Sequence, residues 1–271
     1  MLQTRVITGV VLLVAFSADL FLANFQVFAL VLGVVVAAAA WEWSRLCHVR
    51  DELLQSVFAA VVGVLALIVL YLPHSESLMR WVLLIGFLYW LAVPIGFYMA
   101  PKRAPFAEIQ RSLLLLGVFV MLVAAVAIQY LRSYAPQASS YLLLYALSIV
   151  WVMDIGAYFS GKRFGRNKLA PQISPGKTWE GVYGGLFLTF LVMLIVLLFA
   201  PFAQGNALKM VLATALAAAV SVVGDLAESR IKRAADMKDS SQMLPGHGGV
   251  LDRIDGVLSA IPVFAFVWAW L

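Results

Sequence analysis

The chain has 271 residues, of which 63% are hydrophobic and 12% charged, and its formal net charge is +5. Water-soluble domains carry roughly 25% charged residues, so this composition excludes an ordinary soluble domain and points to a polytopic membrane protein. The basic balance does not call for a nucleic-acid partner, because cytoplasmic loops of membrane proteins are basic in any case, and the single cysteine, Cys47, permits neither an intrachain disulfide nor a thiolate metal cluster and is read as packing.

Apolar runs long enough to cross roughly 30 Å of hydrocarbon, about 20 residues each, are expected near residues 6–22, 26–43, 55–72, 79–99, 112–131, 141–160, 180–200, 208–225 and 253–271. The fold class is therefore all-α, with about nine transmembrane helices. The first run follows Arg5 as a signal peptide would, but no small-residue cleavage site follows convincingly, so it is read as a retained span. With the N-terminus in the cytoplasm, only Arg80, Arg132 and Lys209 fall on outer segments, while every other Lys and Arg falls on the inner side. The C-terminus then lies outside.

In the first three spans ionisable residues are few. Asp19 is expected near an outer helix end, and Glu42 near an inner one, where interfacial water hydrates a carboxylate. Trp41 and Trp43 flank Glu42 as aromatic-belt residues do, so Glu42 reads as part of an anchor. The segment MAPKRAPFAEIQR (99–111) divides an N-terminal transmembrane scaffold, 1–100, from a C-terminal region, 101–271, that carries an active site on the cytoplasmic side.

From the sixth span the character changes. Asp154 lies about 13 residues into its span, roughly 20 Å deep at 1.5 Å per residue, and an Asp within hydrocarbon normally faces a polar cavity or a partner. The loop KRFGRNKLAPQISPGKTWEG (162–181) follows. Gly176, Lys177 and Thr178 resemble the end of a P-loop, but Pro171 stands where that motif needs Gly, which rejects a nucleotide-binding P-loop. What remains is a basic loop that leads into a helix, with Lys177 as a phosphate ligand beside the free N–H groups of the helix start.

The stretch SVVGDLAESRIKRAADMKDSSQMLPGHGGVLDRID (221–255) concentrates the charge that the chain otherwise avoids. On a continuous helix, Asp225, Glu228, Ser229, Lys232, Asp236 and Asp239 share one stripe. Asp252 and Asp255, three apart at the start of the last span, are expected at the depth of Asp225. Carboxylates so grouped need neutralising cations. Oxygen-only donors at a hydrated interface suit Mg²⁺, which shares its shell with substrate phosphates, so Asp225, Asp252 and Asp255 are the metal candidates. Between the helices, LPGHGGV (244–250) supplies Gly246, Gly248 and Gly249, whose backbone can approach phosphate oxygens closely, beside His247.

Ser229, Lys232, Arg233, Lys238, Asp239, Pro245, Gly246, His247, Gly248, Gly249, Asp252, Arg253 and Asp255 stand in the spacing of a family signature. By these residues the chain resembles the phosphatidate cytidylyltransferases, also called CDP-diacylglycerol synthases. The segments around Asp154 and at SPGKTWEG (174–181) are similar too, although Gly176 stands where the family often has a second Lys. The resemblance implies a nucleotidyltransferase of phospholipid biosynthesis that transfers CMP from CTP to phosphatidic acid and releases pyrophosphate. It also implies a multi-pass protein of the bacterial inner membrane, acting as a homodimer, with a metal pair at Asp225 and Asp252, magnesium, and potassium as a second ion. Ser229, Lys232, Lys238, Asp239, His247 and Arg253 are then the catalytic candidates, and Lys177, Arg233, Gly246, Gly248 and Gly249 the binding ones. CDP-alcohol phosphotransferases need a final Asp pair four apart and are set aside. The competing non-enzymatic reading is an ion-coupled transporter with a carboxylate-lined site, but internal repeats and midplane charges are missing.

Overall fold

The computed structural model describes residues 2–72, 75–99, 106–134 and 139–271. Residues 100–105 of the expected boundary segment, with Lys102 and Arg103, lie outside the described residues, as does the side chain of Arg5.

Among the described residues the chain forms nine α-helices: α1 (Leu2–Leu22), α2 (Phe25–Leu46), α3 (Glu52–Tyr71), α4 (Glu76–Met99), α5 (Phe106–Tyr134), α6 (Ser139–Phe164), α7 (Trp179–Phe199), α8 (Ala207–Ala234) and α9 (Leu251–Trp270). Helices α2 to α9 are each long and apolar enough to cross a membrane, and α1 contributes a shorter apolar stretch, Ile7–Leu22. The chain is thus an all-α, multi-pass membrane protein. Helices are the required form, because a backbone N–H or C=O in hydrocarbon must find its partner within the chain. Where helices begin, side chains take the leading N–H groups: Asn24 accepts from Val27, Asp51 from Leu54 and Thr178 from Gly181.

Two departures from the sequence reading matter for the site. The loop before α7 is a short antiparallel hairpin, β1 (Lys168–Ala170) with β2 (Ser174–Thr178), in the register Lys168 opposite Thr178 and Ala170 opposite Ser174. Glu180 secures it, accepting from the backbone of Arg166 at 3.1 Å and from the Asn167 side chain at 2.8 Å. Second, α8 does not reach Asp239. It ends at Ala234, and Asp236 takes the left-handed conformation at φ 55°. The N–H of Met237 bonds back to Lys232 C=O at 2.8 Å and that of Asp236 to Arg233 C=O at 3.2 Å, which is a Schellman stop. Asp236 and Asp239 therefore leave the stripe, because Asp tolerates a left-handed position that terminates the helix.

The chain divides into two compact units. The first comprises Met1–Pro73, Pro101–Ala125 and Ile231–Ile254, and the second His74–Ala100, Val126–Arg230 and Asp255–Leu271. In the first, α2 and α3 pack through small residues, as membrane helices do where burial alone gives no drive. A Cβ on Gly63 would lie 2.9 Å from that of Ala37, and one on Gly33 2.7 Å from Leu67. Trp43 donates its indole N–H to Leu113 C=O at 2.8 Å, in space that Gly117 leaves open. Cys47 is fully buried, and burial pushes its thiol up to about 12, in keeping with a packing role.

In the second unit, α6 and α7 meet along Gly156 and Gly185, where a Cβ on Gly156 would lie 2.8 Å from the Cα of Gly185. The α9 part of its core is aromatic: Phe264 stacks on Trp268 with centroids 5.6 Å apart, and Tyr145 meets Phe264 edge-on. Ser259 donates to Val220 C=O at 3.0 Å, beside Gly224, and this ties α9 to α8 with a close backbone approach.

Candidate active site

The second unit holds Asp225 on α8. Its Oδ2 forms an ion pair with Lys177 Nζ, and its Oδ1 accepts from Ser229 Oγ, one turn further along α8, at 3.2 Å. Lys177 comes from β2, so the hairpin is what delivers a residue 48 positions earlier in sequence to this carboxylate. Gly176, Lys177 and Thr178 lie in an extended strand, not in a loop that wraps phosphate. The pair is part-exposed, with 25% and 27% of the two side chains accessible. Asp255 accepts from the N–H of Gly256 at 2.6 Å, while Asp154 is exposed on α6.

The first unit holds Asp252, near the start of α9, in much deeper surroundings. Its Oδ1 lies 2.6 Å from Lys232 Nζ, and only 11% of that lysine side chain and 6% of the aspartate's are accessible. The other oxygen, Oδ2, takes the N–H of Ser240 at 3.0 Å and of Gly249 at 2.8 Å, and lies 3.0 Å from Ser240 Oγ. Each hydrogen bond to a charged group contributes about 1.5–3 kcal/mol, so this carboxylate is fixed from both sides.

The turn before α9 is built by its own residues. His247 N–H bonds to Leu244 C=O at 2.9 Å across Pro245 and Gly246, and Gly246 has φ 76°. Pro in the second position and a left-handed Gly in the third make a type II turn. Gly248 follows at φ 86°, with Leu244 N–H bonded to its C=O. Helix α1 touches this turn: Thr8 Oγ1 donates to Pro245 C=O at 3.1 Å, and a Cβ on Gly9 would lie 3.6 Å from His247 Nε2. His247 Nδ1 is buried and has no hydrogen-bond partner among the described residues.

Glu42 is the residue that sequence reasoning misplaced. It is not at a hydrated interface: it is fully buried. Its Oε1 accepts from Ser241 Oγ at 2.5 Å and Val250 N–H at 2.9 Å, and its Oε2 from Ser240 Oγ at 2.9 Å and Leu251 N–H at 2.6 Å. The leading N–H groups of α9 are thereby shared between two carboxylates, with Asp252 on Gly249 and Glu42 on Val250 and Leu251. A negative group at a helix N-terminus is also favoured by the helix dipole. Gly249 leaves the space this needs, since a Cβ on it would lie 2.6 Å from both Glu42 oxygens and force a shift.

The remaining sequence candidates fall into two classes. Lys232 and Ser229 meet the aspartates as described; Arg233, Lys238, Asp239 and Arg253 are exposed, and Glu228 is buried. Among the described residues no group of three or more His, Cys, Asp or Glu could cage a metal ion. Taken each in its own unit, Asp225 and Asp252 offer hard carboxylate oxygens beside an ammonium rather than in a closed cage, the kind of donor that suits magnesium, an ion that completes its shell with water and phosphate.

A model of the Cytidylyltransferase family matches residues 3–271. The chain is 42% identical over 270 residues to a phosphatidate cytidylyltransferase of Pseudomonas aeruginosa, covering 99% of this chain and 98% of that one. It is 36% identical over 284 residues to the enzyme of the same name from Haemophilus influenzae, covering 99% of each. Against that of Staphylococcus haemolyticus the identity is 31% over 265 residues, with 97% of each chain covered.

Proposed function

The chain belongs to the phosphatidate cytidylyltransferase family, and from that premise we propose how its own residues carry out the reaction. The activity is the transfer of CMP from CTP to phosphatidic acid, which gives CDP-diacylglycerol and pyrophosphate. A phosphate oxygen of phosphatidic acid forms a bond to the α-phosphorus of CTP. The bond from that phosphorus to the oxygen bridging to the β-phosphorus breaks, and pyrophosphate leaves with the electron pair. The nucleophile is already an anion, so no strong general base is needed. The difficulty is to bring two polyanions together in line.

Asp225 and Asp252 are the carboxylates assigned to magnesium, with Asp255 as a third. Magnesium, when bound, screens phosphate charge and stabilises the pyrophosphate as it departs. Lys177 and Lys232, which neutralise those aspartates, supply ammonium groups to phosphate oxygens, and Ser229 holds the Asp225 carboxylate in place. Gly246, Gly248 and Gly249 shape the turn beside which the nucleotide binds, with His247 next to it. Arg233, Lys238, Asp239 and Arg253 are all exposed, and the three cations among them attract the anionic substrates from solution. The division of labour assigns 1–100 to scaffold and 101–271 to catalysis, in a homodimer of the inner membrane whose site opens to the cytoplasm, where CTP is found. Potassium is the second ion of this assignment.

The observation that carries the assignment is that each aspartate is already paired with a lysine in a chain of this family. The test is pyrophosphate release by the purified protein given CTP, phosphatidic acid and magnesium. Release that depends on all three is expected. Near-normal rates in both Asp225→Asn and Asp252→Asn would remove the two residues from the metal site.

A further inference from the structure

Glu42 has no role in the reaction as derived above, yet its carboxylate is met by as many donors as that of Asp252. It is fully buried in α2 and is met by four donors, Ser240 Oγ, Ser241 Oγ, Val250 N–H and Leu251 N–H, all within 2.9 Å. All four donors belong to the segment 240–251, which links the end of α8 to the start of α9. A buried charge that serves only packing is costly, so its neighbours indicate its use. Three of the four donors lead to Asp252: Val250 and Leu251 lie within two residues of it in sequence, and Ser240 contacts it directly. Ser240 Oγ touches both carboxylates, 2.9 Å from Glu42 and 3.0 Å from Asp252. With one proton, that hydroxyl donates to one carboxylate at a time. Leu251 precedes Asp252, and Gly249, whose N–H binds Asp252, has no room for a Cβ beside Glu42. Arg45, one turn along α2, adds a longer contact of 3.4 Å to Ser240 C=O.

We propose that Glu42 is a positioning residue for the transfer reaction: its carboxylate locks the 240–251 segment and the first turn of α9, and so fixes the direction in which Asp252 presents its oxygens. This rests on the assignment of Asp252 to the site. The lock is intrinsic to the chain, whereas the catalytic consequence needs that assignment.

The test uses the full-length protein purified in detergent, compared with Glu42→Gln. Glutamine keeps the shape but has one acceptor oxygen, and its NH₂ faces donors. Hydrogen–deuterium exchange is expected to quicken in peptides covering 240–251 and to stay unchanged in α3. The kcat is expected to fall on the order of 10²-fold, the scale on which a displacement of about 1 Å costs rate, with KM for CTP and phosphatidic acid unchanged within about threefold. Ser241→Ala, which touches Glu42 and not Asp252, serves where Glu42→Gln fails to fold; it should shift exchange and kcat the same way but less. Unchanged exchange in a folded variant overturns the lock, and quickened exchange with normal kcat reduces Glu42 to a structural residue, overturning the proposal. Asp252→Asn is the control that separates the two readings. If it keeps its rate, the site assignment fails, and the exchange arm alone decides the lock.

Discussion

Asp225 and Asp252 are both aspartates on membrane helices, and both face a lysine, but their surroundings differ. Asp252 keeps 6% of its side chain accessible and binds Lys232, two backbone N–H groups and Ser240, whereas Asp225 keeps 27% and binds Lys177 and Ser229. The network around Asp252 is therefore part of what folds the first unit, while the Asp225 pair is a local contact that the second unit can lose. A part-exposed pair contributes about 0–1 kcal/mol to stability, but removing one member of a buried pair costs about 3–5 kcal/mol because the other charge is left alone. Two residues assigned to one function are thus expected to separate cleanly when stability is measured beside activity.

The largest effect is expected of Asp252→Asn. It should abolish pyrophosphate release and also lower the thermal midpoint in detergent by several degrees, since Lys232 loses its buried counter-charge. Adding Lys232→Met should recover part of the midpoint but none of the turnover. A midpoint equal to that of the parent would show that the Asp252 network is not structural, and the contrast would disappear.

Asp225→Asn is expected to abolish turnover equally and to leave the thermal midpoint within about a degree, because the pair it breaks is part-exposed. Differential scanning fluorimetry on the same preparations checks this. If the midpoint fell as far as in Asp252→Asn, the two regions would be energetically alike.

Much of this contrast was not legible in the sequence. The membrane spans were, because hydropathy over about 20 residues reads the solvent that each helix must meet, and the residues of the two pairs were singled out by charge in an apolar chain. Hydropathy does not carry partnership over distance. Glu42 sits between two tryptophans, as an interfacial residue would, and its donors lie about 200 positions later. The hairpin is hidden because Pro171, Pro175 and Gly176 are poor strand formers, and the end of α8 is hidden because its stop uses Asp236 where a glycine would announce it. Lys177 reads from the sequence as a phosphate ligand, and its ion pair with Asp225, 48 positions later, is visible only in the structure.

Gly249→Ala probes the buried network without removing a charge. The added methyl would meet Glu42 at 2.6 Å, and overpacking of this kind costs about 1–3 kcal/mol. A lower thermal midpoint is expected, together with a kcat reduced on the order of tenfold through a displaced Asp252. The counterpart in the other unit, Gly176→Ala, meets open space, and the midpoint should not move. Equal behaviour of the two glycine variants would blur the distinction between a packed site and an open one.

The smallest and most discriminating comparison is between the two serines. Ser229 gives Asp225 one hydrogen bond of 3.2 Å at a part-exposed position, and Ser240 stands fully buried between Asp252 and Glu42. Removing a hydroxyl from an exposed contact costs about 0.5–1.5 kcal/mol, and water can take its place. In Ser240→Ala two buried carboxylate oxygens lose the same donor, and no water can enter without room. Ser229→Ala is therefore expected to reduce kcat only a few-fold with an unchanged midpoint, and Ser240→Ala to reduce both. Because the alanines are chemically identical, any difference between the variants reports the surroundings alone. Two equal, small effects would mean that the hydroxyl of Ser240 is dispensable and that backbone N–H groups by themselves hold Asp252.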